Sequence, residues 1–235
     1  MKKIFYSLFL VCSLIAFAGC HEITSEDPSK ITYYVSFELQ GDRTMFVKVG
    51  DTFTDPGVIA TEGDLDVSAG VKITGSVNTG EIGLYNITYS AVNVDGFSAS
   101  AARTVFVYNP AVTTDVAGAY TVASGTHRLA FSNGAQVAYS GYPVRISKVA
   151  PGIFYVSDFF GGYYEVRAGY GANYAMTGYF SLNEDNTIDL LDSHVNGWGD
   201  ALDDLENASY DPQSGVIEWG AVYAGAYSFN VKLSK

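Results

Sequence analysis

The residues best suited to chemistry are aromatic and lie late in the chain. Asp158-Phe159-Phe160-Gly161-Gly162-Tyr163-Tyr164 precedes Gly169-Tyr170-Gly171, Tyr174 and Gly178-Tyr179, and a second run, Asn196-Gly197-Trp198-Gly199-Asp200, follows. Aromatic rings with a polar tip suit half-wet surfaces. A sugar offers such a surface an apolar C–H face rimmed by hydroxyls. Trp198 is therefore the leading ligand-binding candidate, because the Gly- and Asp-flanked segment around it reads as a loop. Tyr164 and Tyr170 would extend the platform, and Asp158, Arg167 and Asp200 would supply polar partners. Two readings stand for Trp198: a ligand-facing ring, or a loop residue folded back to plug a barrel end. Trp219, alternating with Ile217, reads as core. At a strand's period of two, Tyr163 and Tyr164 face opposite ways, so one of them belongs inside.

Other chemistries find less support. His127 and His194 lie far apart with no metal-ligand spacing. There is no Gly-x-Ser-x-Gly elbow, and Gly169-x-Gly171 lacks the rest of a dinucleotide motif. A glycosidase needs two facing carboxylates, and no pair stands out among 25 acidic residues. The expectation is no enzyme, no cofactor and no metal. Glu62, Asp64 and Asp66 match no calcium motif and read as a solvated turn. Asp200, Asp203, Asp204 and Glu206 read as a solvated loop.

Composition bounds the scaffold. The 235 residues carry 25 acidic against 13 basic side chains, a net charge of -12. Nucleic-acid binding is excluded on that balance, since phosphate contacts need clustered Lys and Arg. Charged residues are 16% of the chain, glycine numbers 25 and tyrosine 18. Such a texture fits pleated, half-buried surfaces, and the fold class expected is all-β.

The positioning elements follow from alternation. Tyr33, Val35, Phe37 and Leu39 share one face, as do Tyr85, Ile87, Tyr89 and Ala91, with turn signals at Gly41-Asp42, Gly50-Asp51, Asp55-Pro56-Gly57 and Asp95-Gly96. Many short strands without helical patterning point to an immunoglobulin-type sandwich over residues 31–112. Glu81-Ile82-Gly83-Leu84-Tyr85 has the spacing of a tyrosine corner. Pro110 and the small polar residues after it mark a boundary. Over residues 113–235 strands are expected at 119–122, 128–131, 144–149, 153–156, 163–166, 174–182, 187–191, 216–219 and 227–233, which suggests an antiparallel barrel or sandwich.

Four resemblances sharpen this reading. Met1-Lys2-Lys3 and the apolar run Ile4 to Phe17 form a secretory signal too short for a membrane span, which needs roughly 20 residues. The run ends in Phe17-Ala18-Gly19-Cys20, which resembles a bacterial lipobox and implies cleavage after residue 19 with lipid on Cys20. Residues 20–30 read as a flexible tether. Glu22, Glu26 and Asp27 within it resemble the acidic surface-export signal of Bacteroidetes lipoproteins, implying an outward-facing outer-membrane anchor. Gly50 to Tyr108 resembles the bacterial Ig-like surface domain, carried by Asp55-Pro56-Gly57, the strand from Gly83 to Tyr89, Asp95-Gly96 and Arg103-Thr104-Val105. In that family the domain mostly positions other modules. The Gly- and Tyr-rich stretch from Asp158, with Tyr210-Asp211 and Gly215 to Trp219, resembles the C-terminal domain of two-domain lipoproteins tied to polysaccharide-utilisation loci. The partners so implied are a polysaccharide or oligosaccharide, the membrane through lipid, and proteins of a glycan-uptake complex. The alternative is a structural or adhesive protein that binds one of those proteins.

Overall fold

Among residues 31–235 the alternating sequence forms strands, and the fold is all-β apart from single helical turns. The structure, a computed structural model, describes residues 31–235; the expected signal, Cys20 and the tether lie outside the described residues. The N-terminal region holds β1 (Val35–Leu39), β2 (Thr44–Lys48), β3 (Val58–Glu62), β4 (Leu65–Asp66), β5 (Lys72–Thr74), β6 (Gly83–Val92) and β7 (Ser98–Tyr108). One sheet runs β1-β3-β4 and the other β2-β7-β6-β5, with β2 parallel to β7. Along β6, Ile87 and Tyr89 are buried while Asn86 is exposed, as a sheet with one wet face requires. The tyrosine corner forms: Tyr85 Oη donates to Glu81 O at 3.1 Å. Gly83 makes room for that ring, since a Cβ there would lie 3.0 Å from it.

The carboxylates read as a solvated turn have local duties. Glu62 accepts the Val94 N–H, and Asp66 Oδ1 accepts the Ser68 N–H at 2.8 Å.

The C-terminal region holds β8 (Gly118–Val122), β9 (His127–Ala130), β10 (Gln136–Ala138), β11 (Pro143–Ala150), β12 (Ile153–Val156), β13 (Thr177–Leu182), β14 (Ile188–His194), β15 (Asp204–Asp211), β16 (Val216–Tyr223) and β17 (Tyr227–Ser234). β17 carries β16 on one edge and shares the other between β9 and β8. From β8 the sheet continues through β11, β12 and β13 to β14, and from β16 to β15. The sheet curls until β14 and β15 meet at a bridge from Thr187 to Ser209, where Tyr210 N also donates to Asn186 O. This half-barrel encloses Phe154, Phe159, Phe160, Met176, Phe180 and Trp219, all buried.

Four elements differ from expectation, the first being β10 (Gln136–Ala138), a strand where none is expected. Residues 163–166 are not a strand but part of a π-helical turn, Tyr163–Arg167. The strand expected from 174 begins at Thr177, after a 3-10 turn at Ala172–Tyr174. Asp204 and Glu206 lie on β15 rather than in a loop; Leu205 and Ala208 turn inward, and a bulge at Asn207 (φ 51°) accounts for the broken alternation.

Candidate functional site

The segment between β12 and β13 leaves strand geometry because two glycines turn it. Gly161 and Gly162 have φ of 60° and 79°, a region that strains other residues, and a Cβ on Gly162 would lie 2.7 Å from Tyr142. The chain enters the π-helical turn here, a geometry found frequently at functional sites.

Asp158 holds this turn together. Its Oδ1 accepts the N–H groups of Phe160 and Met176, both at 2.9 Å, and its Oδ2 accepts that of Gly162 at 2.7 Å. Asp158 is only 1% exposed, which corrects its expected role. It organises the aromatic loop from inside and presents no oxygen to a ligand. Burial pushes its carboxyl up to about 7, against the opposing pull of the three N–H donors.

The loop after β14 supplies the tryptophan. Val195 O accepts the N–H groups of Trp198 and Gly199, and Gly197 N donates to Asn173 O at 2.7 Å. Gly197 is required by contact: a Cβ there would lie 2.5 Å from the Tyr174 ring. The indole of Trp198 consequently lies among tyrosines. Ring centroids are 4.8 Å away for Tyr164 and for Tyr174, 6.2 Å for Tyr170, and 6.0 Å for Tyr223, whose plane is within 27° of parallel. Trp198 is 39% exposed and Tyr170 55%. Tyr164 and Tyr174 are half-buried, and Tyr223 is buried. Trp198 thus rests on packed rings and yet stays partly in solvent.

The remaining candidates separate. Asp200 Oδ2 accepts the Tyr223 hydroxyl at 2.8 Å and so anchors the ring beneath the indole. Burial first, and Asp200 second, raise the Tyr223 phenol above its ordinary range. Arg167 is exposed and lies over the Tyr163 ring, 5.2 Å from its centroid, rather than beside Trp198. Tyr163 is buried and Tyr164 half-buried, so the pair does divide, though on a helical turn rather than a strand. Trp219 is core: it is 3% exposed and its Nε1 donates to Phe159 O at 2.8 Å. Tyr223 and Arg128 went unnoticed in the sequence. Each sits on a strand remote from the aromatic run, and only the curl of the sheet brings it there.

The platform is joined to the core by further rings. Phe160 meets Tyr164, Tyr223 and Phe229 at 5.3, 5.1 and 4.4 Å. The first two are edge-to-face, a contact that contributes about 0.5–1.5 kcal/mol beyond burial. The arrangement is thus a rigid, partly exposed aromatic surface with polar tips, suited to stacking against an apolar ligand face.

A family model for a bacterial surface protein, Ig-like domain, matches residues 37–107, and one for a C-terminal domain matches residues 109–235. Among solved structures, the lipoprotein BT2262 from Bacteroides thetaiotaomicron is 43% identical, over 86% of this chain and 100% of that one, with a TM-score of 0.49. Two structures from Clostridium perfringens ZmpB each match 52% of this chain with a TM-score of 0.27. One, CBM51-2 in complex with GlcNAc and INT domains, is 14% identical over 29% of that chain; the other, the M60 catalytic domain with CBM51-1 and CBM51-2, is 15% identical over 14%. No curated protein matches. With the Ig-like match followed by a C-terminal match over more than half its length, and with 43% identity across the whole of BT2262, the chain belongs to the family of two-domain bacterial surface lipoproteins that includes BT2262.

Proposed function

We propose that this chain captures polysaccharide at the cell surface, as a binding protein and not as an enzyme. Residues 1–19 are its signal peptide, Cys20 its lipid attachment to the outer membrane, 20–30 its tether, 31–112 its Ig-like spacer and 113–235 its binding domain. The observation that supports this most is the exposed pair Trp198 and Tyr170, seated on Tyr164, Tyr174 and Tyr223. Solvent-facing indole in a loop is otherwise costly, and such a surface matches the C–H face of a sugar ring. Affinity electrophoresis against a panel of polysaccharides tests it. Retardation by at least one polymer, lost in Trp198→Ala, is expected; free migration past every polymer would overturn it.

A second reading, docking to a protein of an uptake complex, draws on different residues. Leu65, Ile73, Val92, Val94 and Phe97 of the Ig-like region are exposed. Co-purification of a partner that depends on these side chains, without any glycan binding, would favour that reading.

A further inference from the structure

Arg128, on β9, packs its guanidinium between two rings. Its Cζ lies 4.9 Å from the Tyr163 centroid and 4.6 Å from that of Tyr227. The Arg128 Nε is buried and has no hydrogen-bond partner among the described residues. Nor does Arg128 form an ion pair there, whereas Arg103, Lys148 and Lys232 each meet a carboxylate. An unsatisfied buried donor costs about 1–3 kcal/mol, so this Nε calls for an acceptor that the described residues do not supply. Arg128 as a residue is half-buried and not sealed from solvent.

A second guanidinium converges on the same ring. Arg167, at the end of the π-helical turn, places its Cζ 5.2 Å from the Tyr163 centroid, is exposed, and likewise forms no ion pair among the described residues. One tyrosine links this pair to the platform. Burial raises the Tyr164 phenol, and the adjacent Arg128 guanidinium works against that rise. Tyr164 also meets Trp198, at 4.8 Å between ring centroids. In a chain of net charge -12, two cations without carboxylate partners, both over the Tyr163 ring that neighbours Tyr164 of the platform, point to an anion from outside.

We propose that the ligand of the Trp198 platform is an acidic glycan bearing uronate carboxylates. Its sugar face stacks on the exposed ring of Trp198, and a carboxylate pairs with the planar fork of Arg128, a geometry that guanidinium matches better than ammonium. Arg167 adds positive charge from the opposite element. The carboxylates around the site do not take this place: Asp200 receives the Tyr223 hydroxyl, Asp203 receives the Gly225 N–H and Asp158 is buried. Glu165, half-buried on the turn, weakens long-range attraction, so affinity depends on the direct pairing.

This inference rests on the glycan-capture reading, and its test separates the two. The full chain is run through gels containing polygalacturonate, alginate or hyaluronate, each beside its carboxyl-reduced neutral counterpart, and beside xylan and mannan. Expected is retardation by at least one acidic polymer, weakened at least tenfold by carboxyl reduction and at least tenfold in Arg128→Gln, with Arg128→Lys intermediate. Arg167→Gln, on an exposed turn, serves as the second variant if Arg128→Gln melts early; a threefold or greater loss is expected. Equal retardation by acidic and reduced polymers, or retardation by neutral polymers alone, overturns the acidic assignment and leaves the glycan reading standing. Retardation by none overturns both.

Discussion

Arg103, fully buried in β7, sets its Nε 3.1 Å from Oδ1 of Asp55, the first residue of the Asp55-Pro56-Gly57 turn. The pair is embedded in further bonds. Tyr89 Oη donates to both Asp55 oxygens at 2.7 Å and accepts from Arg103 Nε at 3.2 Å. Arg103 Nη2 donates to the carbonyls of Gln40 and Gly57, at 2.7 and 3.0 Å, and Nη1 to that of Asp42. One guanidinium therefore ties β7 to the turn that follows β1 and to the turn that precedes β3.

Removing one partner from such a network leaves the other charge uncompensated. Asp55→Ala should cost about 3–5 kcal/mol, most of it in the Ig-like region, because the Arg103 guanidinium stays inside. Urea unfolding followed by far-UV circular dichroism measures it. A loss below about 1 kcal/mol would mean that the carbonyls alone satisfy Arg103.

A second relationship joins the two β regions. Phe106 of β7 stacks on Phe46 at 5.6 Å and meets Tyr179 of β13 edge-on at 5.2 Å, beside buried Ala150 and Ile153. Asn109 Nδ2 also donates to Glu184 Oε1 at 2.9 Å. Tyr179→Ala removes the ring that bridges them, at a cost of about 2–3 kcal/mol. Calorimetry of the wild-type chain should give one cooperative transition, and the variant two; two transitions already in the wild type would show that the contact couples nothing.

These features differ in how visibly the sequence carries them. The tyrosine corner was legible because its partners lie four residues apart and its glycine has a steric reason. The Arg103 network was not, since Asp55, Tyr89 and Arg103 meet only once two sheets face each other; the sequence marks Asp55 merely as a turn residue. Strands with strict alternation were legible too, whereas β15 was hidden by the bulge at Asn207 and by its acidic outer face. At the site, Trp198 stood out by its glycine neighbours. Tyr223 carries no local signal, being one more alternating residue on β16, and Asp158 misled because a carboxylate beside aromatics looks the same in sequence whether it faces ligand or backbone amides.

Asp158 makes the stability pH-dependent in a definite direction. Its carboxyl titrates at about 7 in the fold, raised from an ordinary 3.8 chiefly by burial. Between those values the folded chain holds a proton that the unfolded chain has released. The group's contribution is thus full below about pH 4 and declines as pH rises through about 7, on the order of 1 kcal/mol per pH unit. Asp158→Asn should remove this slope. It should also lower overall stability by about 1–3 kcal/mol, because an amide N–H₂ would face backbone donors. Unfolding of both proteins from pH 4 to 8 gives the comparison; a difference that does not change with pH would rule out titration of Asp158 in this window.

The two tryptophans should behave oppositely, and that contrast tests the platform independently of any ligand. Trp219 is 3% exposed, meets Phe159 edge-on at 5.4 Å and bonds to its carbonyl, so Trp219→Ala should cost about 3–5 kcal/mol. Trp198 is 39% exposed, and its supporting rings are held by Asp200, Phe160 and the glycine turns rather than by the indole itself. Trp198→Ala should therefore cost no more than about 1–2 kcal/mol. Fluorescence separates them further. Acrylamide should quench one emitting component readily and another poorly, and Trp198→Phe should abolish the accessible component while leaving the blue-shifted one. Persistence of the accessible component in that variant would place the solvent-facing indole at Trp219 and remove the basis for a stacking surface at Trp198.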